Sequence, residues 1–184
     1  ANLVVHGRRD AAAGWVPELL ALLEARDPLT GEERWSEDWR TRLAALQALR
    51  ARRPIGSASM GALRAIDHAA REWRRRLRLP EAPTSTSSHA LGDLLIHAFP
   101  DRIAKLDKGE RYQLAGGRGA ALRPGSGLTG EPWLAVSDLM GVGADARIAR
   151  AAPFDVDLLM QHYPQRFLTV REFGFDNATQ AALQ

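Results

Sequence analysis

No cysteine occurs among the 184 residues, which excludes thiol nucleophiles, disulfides and thiolate metal sites. That absence agrees with a reducing, cytoplasmic setting. Lysine is scarce as well: Lys105 and Lys108 stand alone, and the rest of the 25 basic residues are arginines. No run approaches the roughly 18 apolar residues of a membrane span, and the start lacks the basic-then-apolar plan of a signal peptide. No membrane partner is expected.

Phosphate-binding motifs are also missing. The stretch YQLAGGRGAALRPGSGL places a glycine-rich loop after an apolar run, as nucleotide cradles do. A P-loop, however, needs a lysine for the outer phosphates and a hydroxyl for magnesium. After Gly116, Gly117 and Gly119 come Ala120, Ala121 and Leu122, and Arg123-Pro124-Gly125 then bars the start of a helix. The histidines His6, His68, His89, His97 and His162 show no ligand spacing. SASMG at 57–61 falls one residue short of a nucleophile elbow and follows a helix rather than a strand, so Ser59 reads as a cap. Asp155 and Asp157 read as helix-start residues and His97 as a packed, hydrogen-bonded core residue. No catalytic, metal or cofactor site is expected in this chain.

What is present is a globular composition, 45% apolar and 26% charged, with a net charge of +3. The isoelectric point is near 9.9. Arginine offers a planar fork that matches phosphate and stacks on bases; an arginine-rich genome accounts for the same balance equally well. The opening ANLVVHGRRD has no initiator Met, and the closing DNATQAALQ has no cap or tail. Both ends suggest a piece of a longer polypeptide.

Helical spacing dominates the first half. Val16, Leu19, Leu20 and Leu23 form one stripe, and Trp39, Leu43, Leu46 and Leu49 a second. Leu63, Ile66, Ala70, Trp73 and Leu77 form a third, opposite a solvated basic face of Arg71, Arg74, Arg75 and Arg78. PEAPTSTSS at 80–88 reads as a connector, after which Ser88 caps a helix burying Leu91, Leu94, Leu95 and Phe99. Beyond Pro100 the pattern turns to short strands, RYQLA, EPWLAVSDL, ADARIARAA and RFLTVREF, with DVDLLMQHY as a short helix. The expected class is α+β: a helical bundle over 1–100, then a small β-barrel over 101–184.

AFPDRIA, RYQLAGGRGAAL, EPWLAVSDL and ADARIARAAP follow one another in an order and spacing that resemble the bacterial DEAH-box ATP-dependent RNA helicases. ELLALLEARDPL is similar to their helicase-associated helices. The resemblance implies the end of a ratchet-like helical domain followed by an OB-fold barrel, possibly truncated at its C-terminal end. It implies single-stranded RNA and the RecA-like motor domains of the same chain as partners. ATP and Mg2+ would be bound by those motor domains, outside this chain. By the same resemblance GGRGAALRPGSGL is a barrel loop facing RNA. Arg118 and Arg123 on it, then Arg147 and Arg150, are the candidate nucleic-acid-binding residues. Each is equally an ordinary solvated charge. Arg147 and Arg150, three apart on a regular strand, would face opposite sides. The competing reading is a non-catalytic protein-interaction or regulatory module.

Overall fold

The structure is a computed structural model that describes residues 11–83, 85–141, 143 and 146–166. A 3-10 turn at Ala11–Trp15 leads into α1 (Val16–Glu24), with Pro17 in its first turn where no amide partner is required. Helix α2 (Trp39–Arg50) starts at Asp38, whose carboxylate accepts from the Arg40 amide at 2.8 Å. Helix α3 (Met60–Leu77) starts at Ser59, whose hydroxyl accepts from the Ala62 amide at 3.3 Å, as expected of a cap. The three apolar stripes meet in one core containing Val16, Leu19, Leu43, Leu46, Leu63 and Ile66.

Helix α4 (Ala90–Ala98) is buried on every side. Its cap is His89 rather than Ser88, and Ser87 Oγ accepts from the His89 amide at 3.2 Å. The residues before it, in the expected connector, have contacts of their own: Thr86 Oγ1 accepts from Gln47 Nε2 at 3.0 Å.

Strands β1 (Ile103–Lys108), β2 (Arg111–Leu114), β3 (Gly119–Ala121), β4 (Trp133–Met140) and β5 (Arg147–Pro153) form a closed barrel in the order β1-β2-β3-β5-β4. All pairings are antiparallel except β3 with β5, which meet in parallel at Ala121 and Arg147. This is an OB-like barrel beside a helical region, the α+β arrangement expected. Helix α5 (Val156–His162) follows, capped by Asp155, whose carboxylate accepts from the Asp157 amide at 2.9 Å.

β1 and β3 are absent from the sequence reading, and RFLTVREF beyond Arg166 lies outside the described residues. GGRGAALRPGSGL is therefore corrected: it is not loop throughout, because Gly119–Ala121 closes the barrel as β3. Three small residues carry no strand propensity; backbone pairing on both sides holds them extended.

The helices and barrel share their contact surface. Ala135, Ala152 and Phe154 belong to the helical core, while Tyr112, Leu114, Leu134, Val136, Ile148 and Ala151 fill the barrel. Gly92 marks the closest approach: a Cβ there would lie 2.0 Å from the Pro153 carbonyl oxygen. Trp39 Nε1 donates to Ser137 Oγ at 2.8 Å, and the Ala151 amide donates to the Glu37 carbonyl at 2.9 Å. These bonds tie the start of α2 to β4 and β5.

Candidate nucleic-acid interface

Two irregularities in the β4–β5 ladder shape the surface beside α2. Val136 pairs with Ala151 and Asp138 with Arg150, but Leu139 pairs with Ile148, so each strand carries one extra residue. The bulge on β5 at Ala149 breaks the two-residue alternation. Ile148 and Ala151, three apart, both point into the barrel. Arg147 and Arg150 accordingly both face outward, which corrects the expectation of opposite faces. The extra residue is the physical reason.

Outside this bulge lies a cleft of about 1110 Å³ between barrel and helical region. Arg123, Arg147 and Arg150 line it from the barrel, and Arg26 and Arg34 from the segment between α1 and α2. Arg118 does not line it; it sits on the β2–β3 turn, at the other end of β3 from Arg123. The parallel β3–β5 contact pairs Ala121 with Arg147, and Arg123, two residues beyond Ala121, lines the same cleft.

Three carboxylates line the cleft: Asp27 and Glu37 are engaged, and Asp138 is exposed. Asp27 Oδ2 accepts from Arg42 Nη2 at 2.7 Å and from Arg150 Nη2 at 2.5 Å, while Asp27 Oδ1 accepts from the Leu29 amide at 3.0 Å. Burial works to raise the Asp27 pKa, but these bonds and the two guanidinium charges outweigh it and hold the carboxyl below its ordinary value. Arg42, only 1% exposed, also donates to the Ser36 and Asp38 carbonyls at 2.9 and 3.0 Å. Buried Glu37 accepts from the Arg123 amide at 3.1 Å and from Ser126 Oγ at 3.0 Å. The Arg123 guanidinium itself stays loosely placed, 3.9 Å from Glu37. Arg26, Arg34 and Arg147 are exposed, and among the described residues none of them forms an ion pair.

Arg26 and Arg34 escaped the sequence reading because DPLTGEERW reads as a helix-breaking turn. The available signal was a tryptophan, Trp35, standing among charges where it has no apolar stripe to join. Arg74 was read as solvated, but the structure corrects this: it donates to Glu18 Oε2 at 2.6 Å and to the Gly14 and Pro80 carbonyls.

The glycine-rich turn runs into β3, a strand, and no helix N-terminus faces it. Among the described residues no group of three His, Cys, Asp or Glu could hold a metal ion, and no helix is long and apolar enough to cross a membrane. His97 is buried, with Nδ1 and the Tyr163 hydroxyl 2.8 Å apart.

No protein-family model matches the chain. It is 32% identical over 174 residues to the ATP-dependent RNA helicase HrpB of Escherichia coli (strain K12), a match covering 89% of this chain and 20% of that protein. A crystal structure of the E. coli DExH-box NTPase HrpB aligns with 83% of the chain and 16% of its own, at 28% identity and a TM-score of 0.57. A second, of the Escherichia coli DEAH/RHA helicase HrpB, aligns with 78% of the chain and 16% of its own, at 25% identity and a TM-score of 0.53. The chain is thus a homologue of one segment of HrpB and spans about a fifth of that relative's length.

Proposed function

We propose that this HrpB-like chain is the accessory nucleic-acid-channel region of an ATP-dependent RNA helicase and holds single-stranded RNA by its backbone in the arginine-lined cleft. The convergence of Arg26, Arg34, Arg123, Arg147 and Arg150 on one cleft, where Asp27 and Glu37 are engaged internally and Asp138 is the exposed carboxylate, carries this reading. Arginines that face phosphates release condensed counterions, and this favours binding of any sequence. In this proposal RecA-like motor domains of the same polypeptide bind ATP and Mg2+ and carry out the hydrolysis, in the cytoplasm. This chain's glycine-rich turn lacks the P-loop lysine, and its described residues group no metal ligands, which supports placing both ligands on those domains. The helical region and the barrel would then work as two walls of one channel.

Salt-dependent binding tests the reading. Affinity for single-stranded RNA should fall with salt along a log–log line, with a slope near −0.7 per phosphate contact. Arg123→Ala with Arg147→Ala should flatten that slope by about one unit and weaken all sequences alike. Arg118→Ala, outside the cleft, should change neither. An unaltered slope in the double variant would return these residues to plain solvated surface and favour a protein-binding module.

A further inference from the structure

Trp35 is 55% exposed, whereas Trp15 and Trp39 are 3% and 7% exposed. It lines the arginine cleft from the helical side, and Met140 of β4, 64% exposed, lines it from the barrel. A tryptophan offers a large flat face, and here that face lies beside a basic cleft.

The segment that carries it is firmly held. The Thr30 amide donates to the Ser57 carbonyl at 2.7 Å, and the Ser59 amide to the Pro28 carbonyl at 2.8 Å. Gly31, at a φ of +56°, supplies the turn, and the Trp35 amide donates to the Glu32 carbonyl at 3.1 Å. The Arg34 guanidinium lies 4.4 Å from the Trp35 ring centroid and so steadies the ring through its π face. The indole is thus a rigid flat surface at the edge of a cleft in which Arg26, Arg34 and Arg147 form no ion pair among the described residues. A strand whose phosphates follow Arg26, Arg123 and Arg147 brings its bases within reach of such a surface.

We infer that Trp35 is a base-stacking platform, the part of the cleft that grips a nucleobase while the arginines grip phosphate. This rests on the nucleic-acid reading of the cleft. Stacking needs an unpaired base, so the platform selects single-stranded over duplex ligand, and it accepts any base because every base has a π face.

Two labelled probes separate the platform from the phosphate contacts: an oligoadenylate of about twelve nucleotides, within the span of one barrel site, and an abasic phosphodiester of equal length. Trp35→Ala should weaken oligoadenylate binding roughly tenfold and leave the abasic probe unaffected. Trp35→Phe should keep most of the affinity. If both probes weaken equally, Trp35 acts through the shape of the cleft and the platform is refuted. If neither weakens while both bind the unaltered protein, the platform is refuted, the phosphate reading survives, and Trp35 becomes a candidate protein contact. If neither probe binds the unaltered protein, both readings fall together.

Discussion

In the helical region a fully buried carboxylate, Glu18, holds Arg50 at 2.9 Å and Arg74 at 2.6 Å, and Arg50 continues to Asp67 at 2.6 Å. The barrel interior has no such feature. Its hydrophobic cluster is packed with Ala, Leu, Val and Ile around Tyr112, whose hydroxyl donates to the Leu128 and Glu131 carbonyls at 3.2 and 2.8 Å. Both regions come from one arginine-rich chain. Helices turn long side chains sideways into the seams between them, where a guanidinium can find a carboxylate. A closed small barrel leaves no such seam, so its arginines stay outside: Arg150 reaches Asp27 across the cleft, and Arg147 stays exposed with no ion pair among the described residues.

Removing the centre of the helical network is the strongest way to break this contrast. Glu18→Ala leaves two guanidinium groups without their buried partner and should cost about 4 kcal/mol in urea-induced unfolding. Arg71→Ala, whose side chain is 70% exposed in its pair with Asp67, should cost less than about 1 kcal/mol. Equal effects would show that burial does not distinguish the two pairs.

Gly92→Ala attacks the surface between the regions. A Cβ 2.0 Å from the Pro153 carbonyl cannot be accommodated by a rotating side chain, so α4 or β5 must shift. The gain in helix propensity, about 1 kcal/mol, is too small to offset this, and a net loss of about 3 kcal/mol is expected. Circular dichroism and near-ultraviolet signals should still lose structure together if helices and barrel unfold as one unit. Separate midpoints would show that they do not.

Tyr112→Phe should cost about 1 kcal/mol at neutral pH by removing the donor to the Glu131 carbonyl, while the Leu128 carbonyl keeps the Glu131 amide. Burial, with the Glu131 carboxylate adding to it, pushes the Tyr112 phenol up to about 12. A raised folded pKa means that stability is intact below the unfolded value near 10. It is lost as pH rises from there towards about 12. Titrating stability through this range should show the loss in the unaltered protein and not in the Phe variant.

The helical region should respond at the other end of the scale, with the smallest effect. Burial tends to raise the Asp67 pKa, but the hydrogen bonds of Arg50 and Arg71 outweigh it and hold the group below the ordinary value. Its contribution is complete above the unfolded pKa near 3.9 and disappears as pH falls through the lowered folded value. Asp67→Asn should flatten this acid limb of the stability profile. An unchanged acid limb would remove Asp67 from the account.

Local periodicity and end signals carried much of the fold. The stripes through Leu19, Leu43 and Leu63, the caps at Ser59 and Asp155, and the strands around Leu114, Val136 and Ile148 all follow from short-range spacing. So did the packed state of His97, an isolated histidine in an apolar helix. β3 did not, because Gly119-Ala120-Ala121 has no strand pattern of its own and becomes a strand only when β2 and β5 offer it partners. Nor did the cap at His89, where the turn into α4 set the boundary one residue later than Ser88 suggested.

The cleft divides the same way. The resemblance carried by the sequence picked out Arg118, Arg123, Arg147 and Arg150 as candidates. Which of them share a surface was decided by the tertiary structure. The bulge at Ala149 turned Arg147 and Arg150 to one side, the parallel β3–β5 contact set Arg123 on the same cleft, and the length of β3 left Arg118 outside. Arg26, Arg34 and Trp35 joined from about a hundred residues away because the start of α2 is hydrogen-bonded to β4 and β5. Side-chain chemistry is written residue by residue, but a binding surface is a set of distances between remote segments. Only the packing of helices on the barrel determines those distances.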